Sequence, residues 1–214
     1  MNRELRVVED IASAAVELFL EAGPRTIALS GGSTPRPVYE RLAETPYPWE
    51  EVDVFFGDER CVPADDPDSN FNLANRPFLA RVRARVHAMV ACDPVGYEDA
   101  LRTVFGEGVP RFDLMFQGLG EDGHTASLFP GDPALEVTDR LVVLVERPDH
   151  TRMTLTLPVL SAARLCLFLV SGERKRGALR ELMDDGDVPA AKVAAERVVV
   201  LADLDAADGL PSRE

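Results

Sequence analysis

The chain has 214 residues, 46% of them hydrophobic and 28% charged, which suits one folded, soluble domain over residues 1–214 with a sizeable core and excludes disordered and collagenous classes. Its 23 Lys and Arg stand against 37 Asp and Glu, a formal net charge of −14; such a field repels a polyphosphate backbone and excludes nucleic acid as a general partner. Apolar runs reach only strand length, as at 165–170, far short of the roughly 20 residues that span a bilayer, and Glu4, Glu9, Asp10 and Glu17 are unlike a secretory or transit leader; a cytoplasmic protein without a membrane partner is expected.

In chain order, apolar and β-branched runs predict strands at 5–8, 26–29, 52–56, 86–90, 113–116, 141–145, 153–157, 165–170 and 198–201. Between them, helical patterns fall at 11–21, 35–43, 72–81, 97–105, 158–163 and 175–183. The first places Ile11, Ala15, Leu18 and Phe19 on one face. This alternation predicts an α/β fold, a mostly parallel open sheet with helices on both faces. The stretch 141–157, two strands about a turn with Pro148, reads instead as an antiparallel addition. The polar loop 58–70 is long for a strand-to-helix connection, and long loops at the carboxyl ends of strands are where ligands sit in such sheets. Cys61, Cys92 and Cys166 are odd in number and lack CxxC spacing, so neither a disulfide framework nor a structural zinc site is expected.

Four segments could carry chemistry. Leu29-Ser30-Gly31-Gly32-Ser33-Thr34-Pro35 follows a strand and opens a helix. Its glycines let the N–H groups of Gly31, Gly32, Ser33 and Thr34 turn toward an anion at the helix start; a plain glycine turn with a Ser/Thr cap is the other reading. Phe56-Gly57-Asp58-Glu59-Arg60 puts three charges at a strand end, either to orient a polar ligand or as a solvated ion pair. Residues 118–123 satisfy GxGxxG, but Pro130, Gly131 and Pro133 end any helix too early for a dinucleotide site. What remains is a short glycine loop displaying Asp122 and His124, a general base with its orienting acid or a helix-capping histidine. Arg152 and Lys175 each lie beside a strand end, where they could reach a shared anion or serve as surface charge. No pair of histidines has metal-ligand spacing, and neither HExxH nor GxSxG occurs.

Taken together these segments resemble the 6-phosphogluconolactonase family, within the glucosamine/galactosamine-6-phosphate isomerase superfamily. The similarity runs from Leu29 to about Val193 through GGSTP at 31–35, GDER at 57–60, DSNFNLA at 68–74, GLGEDGHTASLFPG at 118–131, RMTLTLPVLSAA at 152–163 and the segment around Lys175. The resemblance implies an α/β fold shared with sugar-phosphate isomerases, a small sugar-phosphate substrate and no required metal or cofactor. It also implies hydrolysis of 6-phospho-D-glucono-1,5-lactone to 6-phosphogluconate, in the oxidative pentose phosphate pathway. On this resemblance His124 is the general base and Asp122 its neighbour, Asp58 and Arg60 are the charged positions of the active-site loop, and Gly32, Ser33, Arg152 and Lys175 face the sugar phosphate. Arg174 departs from the small residue that many relatives carry before the lysine. Glucosamine-6-phosphate deaminase is similar at the glycine loops, but it has a glutamate five positions after the histidine, where this chain has Phe129, and tends to an aromatic at the position of Arg60. A non-catalytic sugar-phosphate-sensing module of a transcription regulator is a third reading, opposed by the Asp122 and His124 pair and by the lack of a helix-turn-helix pattern.

Overall fold

The computed structural model describes residues 3–89 and 92–210. Seven strands, β1 (Arg3–Val7), β2 (Thr26–Leu29), β3 (Asp53–Phe56), β5 (Arg85–Val86), β6 (Leu114–Gly118), β9 (Leu165–Val170) and β10 (Arg197–Ala202), form one sheet in the order β1-β10-β9-β6-β2-β3-β5. Every neighbouring pair in it is parallel. All six residues of β9 are buried, which explains why it reads as an unbroken apolar run, and all four of β3 are buried too, the charged Asp53 included; these central strands are covered on both faces, while β5 at the edge is exposed. The antiparallel addition at 141–157 is present as β7 (Val142–Glu146) and β8 (Thr151–Leu155). A third strand, β4 (Asp58–Arg60), joins it in the order β4-β8-β7.

Helix α1 (Ile11–Ala22) shows how local sequence sets the elements. Asp10 accepts from the N–H groups of Ala12 and Ser13 at its start, and Gly23, at φ 56°, ends it. Its buried face is Ala12, Ala15, Leu18 and Phe19, with Ile11 only half-buried. The helix expected at 72–81 is broken: α3 (Asn70–Asn75) stops ahead of Pro77, and a single 3-10 turn at Leu79–Arg81 follows. The strand expected at 86–90 reduces to β5, and Val90 lies outside the described residues. The start of the pattern at 175–183 is a 3-10 turn, Glu173–Lys175, leading into α6 (Arg176–Met183). Helices α2 (Arg36–Glu44), α4 (Pro94–Phe105) and α5 (Leu157–Ser161) fall within a few residues of expectation. Two four-residue helices, α7 (Pro189–Lys192) and α8 (Leu204–Ala207), had no periodic signal. Among the described residues no helix is long and apolar enough to cross a membrane.

Cys61 and Cys92 form a disulfide across a sequence separation of 31 residues, with Cα atoms 5.1 Å apart. This corrects the expectation drawn from cysteine count and spacing; bridging depends on which loops the sheet brings together, which spacing does not report. Cys166, buried in β9, is a free thiol. The bridge ties the chain just after β4 to the residue before Asp93, the N-cap of α4. Because a crosslink restricts the unfolded chain, reduction is expected to cost about 2 kcal/mol of stability, read as a melting temperature several degrees lower in reductant. An unchanged melting temperature with all three thiols titratable would show that the bridge stabilises nothing.

The strand order also locates the crevice. β2 lies between β3 and β6, and the connections leaving β2 and β6 diverge toward β3 and β9. Such a reversal opens a gap outside the carboxyl ends of the two strands.

Candidate active site

At that gap lies a cleft of about 550 Å³, walled by the ends of β2, β6 and β9 together with β4 and β8. The end of β2 is pinned by the Tyr39 hydroxyl, which donates to the Ser30 carbonyl at 2.7 Å and accepts from the Ser30 N–H at 2.9 Å. Beyond it Gly31, Gly32, Ser33 and Thr34 all line the cleft. Among the described residues no side chain caps the first turn of α2, so the capped-turn reading of this segment does not hold. Pro35 and Pro37 carry no N–H, so the backbone donors offered to an anion belong chiefly to residues 31–34, which line the cleft. Gly31 packs so tightly on the Asn70 amide that a Cβ there would collide with it.

The GDER segment is not a solvated loop. Asp58 and Glu59 are buried in β4, and Arg60 pairs in register with Arg152 of β8. Directly opposed residues of antiparallel strands share a face, so both guanidinium groups line the cleft. The Nε of each is buried and has no hydrogen-bond partner among the described residues. Arg60 Nη1 donates to the Asp68 carbonyl at 2.9 Å and to Asn70 Oδ1 at 2.7 Å, and no ion pair of Arg60 with a carboxylate occurs among the described residues. Glu59 accepts from four donors: the N–H groups of Arg60, Asn70 and Phe71 and the Ser69 hydroxyl. Burial nevertheless raises its pKa, because these bonds do not fully replace water. Asp58 has both carboxylate oxygens engaged, Oδ1 by Asn70 Nδ2 at 3.1 Å and Oδ2 by the Ser127 hydroxyl at 2.6 Å.

Arg152 is paired at 2.5 Å with Asp149, and this hydrogen bond holds the Asp149 carboxyl down to about 2. A carboxyl lowered from an ordinary value of about 3.9 stabilises the fold fully above that value, and the contribution is lost as pH falls through the folded one. In Arg152→Ala the Asp149 carboxyl is expected to titrate near its ordinary value, followed by its carboxyl carbon chemical shift. A midpoint still at about 2 would mean that other donors hold it.

Lys175 reaches the cleft from the 3-10 turn after β9. Its neighbour Arg174 is engaged by Glu121 at 3.3 Å, whereas Lys175 has no ion pair among the described residues. The departure at Arg174 thus leaves Lys175 as the uncompensated cation of this segment.

On the β6 side, His124 Nδ1 lies 2.6 Å from Asp122 Oδ1, and the His124 N–H donates to the same oxygen at 3.1 Å. Partial burial opposes ionisation of Asp122, but these bonds and the nearby imidazole prevail and hold its pKa below the usual carboxylate value. Gly120 has no room for a Cβ, which would strike the His124 ring. Phe129 supports the imidazole, with ring centroids 4.5 Å apart, and carries the Arg147 guanidinium 4.1 Å from its own centroid.

The cleft therefore brings together Gly31, Gly32, Ser33, Thr34, Asp58, Arg60, His124, Arg152 and Lys175. Asp122 does not line it; its side-chain hydrogen bonds among the described residues go to His124. Sequence reasoning missed Asn70 and Ser127; the DSNFNLA segment was visible as a motif but suggested no chemistry for Asn70. Among the described residues no three or more His, Cys, Asp or Glu are grouped to hold a metal ion.

Known proteins are similar to this chain in sequence and fold. Residues 3–201 match the model of a family described as glucosamine-6-phosphate isomerases/6-phosphogluconolactonase. The chain is 44% identical over 189 residues to a 6-phosphogluconolactonase of Synechocystis sp., covering 83% of this chain and 79% of that one. It is 41% identical over 174 residues to a 6-phosphogluconolactonase of Nostoc sp., covering 76% and 72% respectively. The crystal structure of 6-phosphogluconolactonase from Thermotoga maritima superposes with a TM-score of 0.84 at 31% identity, over 94% of this chain and 100% of that one. With the matched family spanning nearly every element that builds the cleft, the chain belongs to the glucosamine-6-phosphate isomerase/6-phosphogluconolactonase family.

Proposed function

We propose that this chain hydrolyses 6-phospho-D-glucono-1,5-lactone to 6-phosphogluconate, in the cytoplasm and as part of the oxidative pentose phosphate pathway. The observation that carries the reading is the 2.6 Å contact of His124 with Asp122, at a cleft that also bears Arg60, Arg152 and Lys175. A carboxylate at Nδ1 accepts its N–H and leaves the lone pair on Nε2. Nε2 takes a proton from water as the water oxygen adds to the lactone carbonyl, and the imidazolium returns it to the ring oxygen when the C–O bond breaks. Arg60 stabilises the intermediate oxyanion. The phosphate, remote from this carbon, is held by residues 31–34 with Arg152 and Lys175, which orients the substrate. Asp58, with both oxygens engaged, supplies fixed charge rather than proton transfer. Deamination of glucosamine 6-phosphate fits less well, because Phe129 cannot move a proton and packs on His124 instead.

The test is the rate with freshly generated lactone, corrected for spontaneous hydrolysis, with glucosamine 6-phosphate in parallel and a repeat after exhaustive chelation. Acceleration of the first, none of the second and no loss on chelation are expected. No acceleration of lactone hydrolysis overturns the reading; activity lost on chelation and restored by one added metal would overturn its metal-free chemistry.

A further inference from the structure

We infer that Asn70 is a positioning residue that aims the Arg60 guanidinium at the reacting end of the lactone; this rests on the lactonase reading above. Asn70 is 1% exposed and belongs to the first turn of α3, yet its side chain reaches the cleft. Its amide faces two neighbours of opposite charge on β4. Oδ1 accepts from Arg60 Nη1 at 2.7 Å, while Nδ2 donates to the Asp58 carbonyl at 2.8 Å and to Asp58 Oδ1 at 3.1 Å. One side chain must therefore present an acceptor to the cation and a donor to the anion, only a few ångströms apart. A carboxamide of this length does both while neutral. Aspartate would oppose Asp58 with a second negative charge, and glutamine would need space that a buried site packed against Gly31 lacks.

The backbone of Asn70 is fixed as firmly as its amide. Its N–H donates to Glu59 Oε1 at 2.7 Å, and the Phe71 N–H and Ser69 hydroxyl satisfy the other carboxylate oxygen. Glu59 lies between Asp58 and Arg60 in sequence and points to the opposite side of β4, as strand alternation requires. The strand thus grips α3 through Glu59 and is gripped back through the Asn70 amide. Arg60 has no carboxylate ion pair among the described residues, so Asn70 Oδ1 and the Asp68 carbonyl are the acceptors that set its direction. A neutral acceptor orients the guanidinium and leaves its charge uncompensated for the oxyanion.

The test is steady-state kinetics on the phosphorylated lactone with Asn70→Ala and Asn70→Ser, each also combined with Arg60→Lys, with folding checked by melting temperature. Asn70→Ala is expected to lower kcat by ~10-fold or more with KM within ~3-fold of wild type, since a misdirected charge is felt mainly in the transition state. Adding Asn70→Ala to Arg60→Lys should cost less than ~2-fold more, because the guanidinium that Asn70 aims is already replaced by a point charge it cannot orient. Wild-type kcat in a folded Asn70 variant, a change in KM alone, or a loss that multiplies fully with that of Arg60→Lys would overturn the proposal. Loss of fold in both single variants would assign Asn70 to the scaffold and overturn it too. Inactivity of the wild-type chain toward the lactone would instead remove the lactonase reading, so the two failures are distinct.

Discussion

His124→Ala is expected to lower kcat on 6-phosphogluconolactone by at least ~100-fold while leaving KM nearly unchanged, the signature of a group that acts only in the transition state. The alanine removes the only imidazole on the cleft wall among the described residues and with it the proposed proton acceptor for water. Asp122→Asn separates the orienting role from the chemical one. Its amide can donate to Nδ1, which drives the proton to Nε2 and occupies the lone pair that the mechanism needs. The asparagine variant should therefore keep the ring in place and still lose much of kcat. Progress curves above the spontaneous background give both numbers. Near-wild-type kcat in a folded His124→Ala variant would remove the residue from the mechanism.

The parts of the molecule that sequence made legible are those whose signal is local. The apolar runs at 26–29 and 165–170 became strands with those bounds, because a strand buried on both faces needs no alternation to be recognised. Pro77 is the opposite case: the apolar spacing ran past it, yet the missing N–H and the ring clash split the expected helix. β4 is only three residues long and exists by pairing with β8, nearly a hundred positions later, so no window around GDER could show it. The Cys61 to Cys92 bridge and the Asp58 to Ser127 bond are hidden for the same reason. At the site, the glycine loops and the Asp122 and His124 pair were visible because their partners lie within a few residues. Asn70 was not, because its importance lies in meeting Asp58 and Arg60 across a twelve-residue excursion. Family likeness marked the segment without supplying the physical reason.

Lys175→Ala and Arg152→Ala are each expected to weaken the phosphorylated substrate and the phosphogluconate product by roughly 1.5 to 3 kcal/mol, the range for a hydrogen bond to a charged group. The argument starts from a chain of net charge −14, whose diffuse field disfavours any anion. Local charge must outweigh it, and the cleft provides Arg152 opposite Arg60 and a lysine without an ion pair among the described residues. Arg152 is shared with Asp149, so part of its attraction for phosphate is already offset, and the loss in Arg152→Ala should fall at the lower end of the range. Lys175 has no such competitor and should fall at the upper end. A gluconolactone lacking phosphate never makes these contacts, and its kcat/KM should scarcely change in either variant. The measurement is kcat/KM for the phosphorylated and unphosphorylated lactones in wild type and both variants, at fixed ionic strength because salt screens the exposed charges. Equal losses on the two substrates would place Lys175 and Arg152 at the reacting end or in the scaffold, and the phosphate would then belong to the residues 31–34 alone.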